Sequence, residues 1–375
     1  MSRRLIFALL MLSAFASAKA EDIVPWAHAV IADSLQREEK NLWADADEFD
    51  KALERSDRIR KDPALNAYLQ GIMDRLYPEF GGKVRIRALD SGRLNAFALP
   101  NGSLYINTGL LARLQNEAQL ATVLAHEGAH FVHRHSYQQS EHIKSVSTLA
   151  LIVGMAGVPL VGNVIALSSM SGFSQEHETE ADKIGYQRLV AAGYSGKEAP
   201  KTFEHLIAEI KALDINEPFF FASHPKLRDR VNNFSELSKD ASDGEVGHEP
   251  YMLAVRNTRL HTLREDLEAF RYKQIILVLS DSDRRSEYPP EASYFLGEAY
   301  RLRNEEGDTT RAIREYTLST ELAPEFAQAY RALGLLHYKR GEKTLAGPLF
   351  KRYLELAPEA PDREYVEAYL KDTGT

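Results

Sequence analysis

The sequence predicts an α+β protein that is mainly α, with a small sheet in its first half and a helical solenoid at its C-terminal end. Three observations carry that expectation. Between residues 84 and 88 the apolar residues recur every second position, from Asn116 onward they recur at three and four, and beyond residue 290 a helical segment recurs at a spacing of 34.

The chain opens "MSRRLIFALLMLSAFASAKAEDIVPW". Arg3 and Arg4, an apolar run from Leu5 to Ala16 and the small-x-small triplet Ala18-Lys19-Ala20 mark residues 1–20 as an export signal cleaved after Ala20. The run falls short of the about 20 apolar residues that a membrane span needs. Loss of Arg3, Arg4 and Lys19 from 46 basic residues leaves 43 against 54 acidic, and the net charge moves from −8 to −11. So acidic a chain is not built around nucleic acid. With no cysteine it has no disulfide framework, no thiol nucleophile and no thiolate metal site.

From Glu21 to about Phe80 the pattern is polar and helical, with Ile72, Leu76 and Tyr77 as a small apolar stripe. In "GGKVRIRALDSGRLNAFALPNGSLYINTGLL" Val84, Ile86 and Ala88 alternate with Arg85 and Arg87. Leu104, Tyr105 and Ile106 follow the turn pair Asn101-Gly102, so two or three short strands are expected. Leu120, Val123, Leu124 and Phe131 then mark a helix that contains His126 to His130.

Residues 146–170, "VSTLALIVGMAGVPLVGNVIALSSM", carry no charge and are long enough to span a membrane. Pro159 with Gly154, Gly157 and Gly162 favours a packed or membrane-apposed helical hairpin over a true span, which makes this segment the place for peripheral membrane contact. The charged stretch "ELSKDASDGEVGHE" (236–249) has linker composition and divides residues 21–244 from residues 245–375. In the latter, Pro324 and Pro358, Leu322 and Leu356, and Tyr316 and Phe350 pair at an offset of 34. Ala292, Leu296 and Gly297 pair with Ala329, Leu333 and Gly334 at 37. This helix-turn-helix period resembles tetratricopeptide (TPR) repeats, with two clear copies and a degenerate third over 252–289.

The chemistry concentrates in "LATVLAHEGAHFVHRH" (120–135). His126 and His130 stand at i and i+4, about 40° apart around a helix, and close on one ion from a single turn. Glu127, one residue on, sits where it takes a proton from water. Catalytic zinc wants three protein ligands and an open position. In "SQEHETEADKIGYQRLVAAGYS" Glu178 and Asp182 are again i and i+4, and Gly185 leaves room for a neighbouring helix. Glu178 is the third ligand, Asp182 accepts the other imidazole N–H of a ligating histidine, and Glu180 faces solvent. His133 shares the direction of the pair but lies too far along the axis to join the same ion. His135 is a hydrogen-bonding group at the helix end, and His142 and His177 are exposed.

HEGAH, Arg134-His135, Glu178-x-Glu180-Ala181-Asp182-x-x-Gly185, "NAFALPNGSLYINTGLL" and "SHPKLRDR" together resemble the gluzincin metallopeptidases that include the CAAX prenyl endopeptidases. Within that group the export signal and TPR tail resemble the periplasmic β-barrel assembly-enhancing proteases. The resemblance implies one zinc per chain on His126, His130 and Glu178, with Glu127 activating water. It makes Asp182 either a proton donor or the orienting partner of a ligand. It places His224 near the metal, either donating to the oxyanion or filling zinc's open position at rest, and gives Arg230 a structural or carboxylate-binding role. An edge strand beside the catalytic helix, expected around Gly102 to Ile106, would pair with an extended substrate. The implied function is endopeptidase quality control in the periplasm, acting on unfolded or misassembled outer-membrane β-barrel proteins and their assembly machinery. The rival is a periplasmic chaperone or assembly adaptor that works through the TPR surface with a latent protease site.

Overall fold

The computed structural model describes residues 37–142, 173–213 and 227–374; residues 1–20, segment 146–170 and His224 lie outside the described residues. The chain enters through α1 (Arg37–Arg55) and α2 (Pro63–Leu76). Asp62 caps α2 by accepting the Leu65 N–H, and Pro63 takes the first turn, where its missing donor costs nothing. One face of α2, with Leu65, Leu69, Ile72 and Leu76, is buried.

Three strands follow: β1 (Arg85–Leu89), β2 (Ala96–Ala98) and β3 (Ser103–Asn107). β2 and β3 form a hairpin whose turn ends at Gly102, with φ +83°; a Cβ there would lie 2.8 Å from the Lys83 carbonyl oxygen. β1 joins β3 in parallel, so the sheet order is β1-β3-β2. This corrects one expectation. The strand around Gly102 to Ile106 is the centre of the sheet, with both backbone edges already paired, and β1 and β2 are the edge strands, β1 bridged on its outer side by Ile59.

After α3 (Thr108–Arg113) comes α4 (Glu117–Val132), the helix predicted from the 120–131 spacing. The Asn116 side chain caps it by accepting the Gln119 N–H, and every residue of α4 is buried. It is the axis of the domain. α5 (His135–His142), α6 (Gln175–Ala191), α7 (Glu198–Leu213) and α8 (Leu227–Leu237) complete this half, and α6 and α7 both pack on α4.

The charged connection 238–247 is docked rather than loose. The Val246 and Gly247 carbonyls accept from the Ala118 and Glu117 N–H groups at 3.0 and 3.3 Å, supplying acceptors that the first turn of α4 lacks within its own helix. α9 (His248–Glu268) then adds Tyr251 and Val255 to the same core as α4. Arg259, 1 % exposed, donates to the carbonyls of Ala112 and Leu114. Arg113 is held between Glu209 at 3.0 Å and Asp266 at 3.1 Å, a buried ion group that ties α3, α7 and α9 together.

Beyond α10 (Tyr272–Ser280) and the short α11 (Ser282–Ser286), helices α12 (Ala292–Arg303), α13 (Asp308–Leu322), α14 (Ala327–Lys339), α15 (Lys343–Leu356) and α16 (Arg363–Thr373) stack as successive hairpins. The two offsets read from sequence acquire a physical meaning here. Gly297 on α12 admits the Tyr316 ring of α13, and Gly334 on α14 admits the Phe350 ring of α15; a Cβ would come within 2.6 and 2.8 Å of those rings. Each hairpin thus crosses at a glycine facing an aromatic ring. Among the described residues no helix is long and apolar enough to cross a membrane.

Candidate metal centre

Two glycines set the approach of the elements that build the site. Gly128, inside HEGAH, lies under the Tyr77 ring, where a Cβ would be 2.3 Å from the nearest ring carbon; the Tyr77 hydroxyl donates to the Ala125 carbonyl. Gly185 lets α6 press against the backbone of α4 at the first histidine, where a Cβ would stand 2.9 Å from the His126 nitrogen. Only with helices this close do the carboxylates of α6 reach the imidazoles of α4.

The result is a compact set of donors. His126 Nε2 and His130 Nε2 are 3.0 Å apart. Glu178 straddles them, with Oε2 3.5 Å from His126 Nε2 and Oε1 3.5 Å from His130 Nε2. In a tetrahedral zinc site with bonds of about 2.0–2.1 Å, neighbouring ligand atoms are about 3.3–3.4 Å apart. The three separations therefore already match a divalent cation held by two imidazoles and a carboxylate. All three side chains are buried, at 0, 1 and 4 % exposure.

Each imidazole has a group behind it. His126 Nδ1 is 2.9 Å from Asp182 Oδ1, and Arg230 donates to the same oxygen from Nη2 at 2.8 Å and Nε at 3.1 Å. Arg230 is 2 % exposed and lies over the Phe203 ring at 4.3 Å, so α8 is tied to the ligand carried by α4 through one carboxylate. His130 Nδ1 meets His135 Nδ1 at 2.9 Å. Burial, reinforced by the neighbouring His177 and His133, pushes the His135 imidazole down to about 3 and keeps it uncharged. Glu127 is 2 % exposed, one residue after the first histidine.

The structure thus brings His126, Glu127, His130, Glu178 and Asp182 to one place, with Arg230 behind Asp182. His133 turns away from them, its Nδ1 3.0 Å from Glu180 Oε1. Two readings of exposure need correction. Glu180, 43 % exposed at its side chain, faces His133 and His135 as well as solvent, and His135 reaches it because the chain reverses at Arg134. His177 is half-buried: its Nε2 is 3.1 Å from Gln138 Oε1 and its ring stacks on His135 at 4.5 Å. The His142 side chain lies outside the described residues.

The part of His135 behind His130 was hidden by helical geometry. Five residues along an unbroken helix, the two rings would point about 140° apart. Arg134 adopts φ 57° and is held there by an ion pair with the buried Glu39, which breaks the helix and swings His135 back. An arginine in this left-handed conformation leaves no mark in composition or period.

Residues 63–238 match the model of peptidase family M48. Among curated proteins, the chain is 25% identical over 226 residues to a putative beta-barrel assembly-enhancing protease of Vibrio cholerae, covering 56% of this chain and 46% of the relative. It is 25% identical over 244 residues to the beta-barrel assembly-enhancing protease of Escherichia coli, covering 59% and 50%. It is also 30% identical over 193 residues to the mitochondrial metalloendopeptidase OMA1 of Saccharomyces cerevisiae, covering 49% and 52%. The chain spans about half the length of these relatives. The matched segment contains α4 and α6 with their histidines and carboxylates, and the chain therefore carries, over residues 63–238, a metallopeptidase domain of family M48.

Proposed function

We propose that the chain is an exported, zinc-dependent endopeptidase that degrades misfolded or misassembled outer-membrane and periplasmic proteins, with residues 21–244 as the catalytic domain and residues 245–375 as a TPR domain that docks substrate or assembly machinery. The observation that carries the catalytic reading is the convergence of His126 Nε2, His130 Nε2 and the Glu178 carboxylate within 4.8 Å, beside a buried Glu127. The names of the bacterial relatives support the choice of substrate class.

His126, His130 and Glu178 hold the zinc, one ion per chain. When bound, the ion supplies Lewis-acid polarisation of the scissile carbonyl and makes water more acidic. Glu127 takes the proton of the attacking water on its carboxylate and returns it to the leaving amine. Asp182 faces His126 Nδ1 at 2.9 Å, which leaves Nε2 as the ligating nitrogen and fixes the ring, while Arg230 holds the carboxylate in place. The opposite ring is fixed in the same way by His135. His224 acts beside the ion, by donating to the developing oxyanion, by filling the open position at rest, or by moving between the two when a partner engages the TPR domain.

Substrate backbone pairs with β2, whose outer edge meets no other strand among the described residues. Pairing of this kind selects extended, unpaired β segments more than it selects sequence. α4 touches β2, so a peptide on that edge lies alongside the helix that carries Glu127.

The test is zinc content and cleavage together. The purified chain should hold about one zinc and hydrolyse an unfolded outer-membrane protein, and Glu178→Ala should lose most of both, because two histidines leave the site without its third protein ligand. Full zinc retention by Glu178→Ala in elemental analysis removes Glu178 from the ligand set.

A further inference from the structure

A second group of donors stands behind the first. His133 Nδ1 is 3.0 Å from Glu180 Oε1, and His135 Nε2 is 3.5 Å from Glu180 Oε2, with the three ligand atoms all within 4.8 Å of one another. His133 and His135 are 4 and 0 % exposed, and His135 Nε2, fully buried, makes no hydrogen bond among the described residues and points at this carboxylate. The left-handed Arg134 between them puts both rings on one side of the chain, its own guanidinium is neutralised by Glu39, and among the described residues no Lys or Arg pairs with Glu180. The half-exposed Glu180 gives an ion a path from solvent.

We propose that His133, His135 and Glu180 form a second, weaker site for a divalent transition metal of the zinc class, and that filling it inhibits the first. The coupling is geometric and rests on reading His130 as a ligand of the first ion. His135 stands between the two groups, its Nδ1 2.9 Å from His130 Nδ1 and its Nε2 3.5 Å from Glu180 Oε2. Closing His133, His135 and Glu180 on an ion, with bonds of about 2.0–2.2 Å, draws the His135 ring toward Glu180 and away from His130. His130 then loses the partner that orients it, a loss that in other metal sites lowers affinity or activity about 10–100-fold. Because the coupling is reciprocal, the second ion binds more weakly when the first is present.

The experiment titrates zinc alone into the purified chain, following stoichiometry by calorimetry and hydrolysis of an unfolded protein in parallel. Wild type should show one tight and one weaker class of zinc, with cleavage falling at least about tenfold as the weaker class fills. His133→Gln, and separately the half-exposed Glu180→Gln, should lose the weaker class, keep the tight one, and stay active at zinc concentrations that silence wild type. A cobalt-loaded first site should change its visible spectrum when zinc enters the second in wild type but not in either variant. One class of zinc in wild type, or equal inhibition of wild type and both variants, overturns the proposal, the latter because excess metal would then be acting at the catalytic ion itself. A chain that binds no zinc at all would instead overturn the reading of His126, His130 and Glu178.

Discussion

Replacing Gly185 by alanine adds one methyl group where α6 and α4 are closest. The new Cβ would stand 2.9, 3.0 and 3.1 Å from the His126 nitrogen, the His126 Cα and the Ala125 carbonyl carbon, all of them backbone atoms of a buried helix that cannot swing aside. Ordinary contact begins at 3.4 Å, so the helices must separate by about 0.5 Å. Overpacking of this kind costs about 1–3 kcal/mol, and each kcal/mol lowers the melting temperature by about 2–4 °C in a domain of 150–250 residues. Glu178 lies on the same helix about two turns away, so part of the shift reaches the ligand set. A displacement of about 1 Å costs about a hundredfold in rate, and half of that predicts about a tenfold loss in kcat/KM. The assay is calorimetric melting with zinc content and peptide hydrolysis on one preparation. Gly71→Ala is the control: it sits in α2 with no atom within 4 Å of its added Cβ, and should be stabilising by about 0.5–1 kcal/mol. An unchanged melting temperature and kcat/KM in Gly185→Ala would refute the reasoning.

Two further outcomes are expected. Arg230→Met leaves Asp182 buried without its cation, at a cost of about 3–5 kcal/mol, and should lower thermal stability even in metal-free protein; equal melting of variant and wild type under chelation would contradict it. His224→Ala separates the roles open to that residue: faster degradation of an unfolded outer-membrane protein at equal zinc occupancy marks a blocking ligand, and a loss of about a hundredfold to a thousandfold marks an oxyanion donor. Unchanged rates in His224→Ala and His224→Arg would remove both.

Much of the fold was legible because its signals are local. Strand alternation at Val84, Ile86 and Ala88, the Asn101-Gly102 turn, and the spacing through Phe131 each report on neighbours in sequence. The repeat was legible because every hairpin needs the same small residue opposite the same ring, as at Gly297 with Tyr316 and Gly334 with Phe350. Strand order was not. β2 is three residues long with Ala96, Phe97 and Ala98 all buried, so it shows no alternation, and nothing local says that β3 is flanked on both sides. The site divides the same way. The i, i+4 pairs on α4 and α6 could be read, whereas the return of His135 to His130 follows from a backbone reversal at Arg134. The 238–247 stretch has the composition of a free connection, yet its carbonyls cap α4. That capping links the solenoid to the helix that bears the histidines.

Catalysis by this centre is tested most directly by Glu127→Gln at matched zinc occupancy, with hydrolysis of an unfolded outer-membrane protein as the readout. The amide keeps the size of the side chain but cannot take the proton from water. The variant should fold, hold about one zinc and cleave at a rate indistinguishable from the metal-free chain. Substantial turnover by the zinc-loaded variant would contradict the assignment of Glu127 and with it the mechanism.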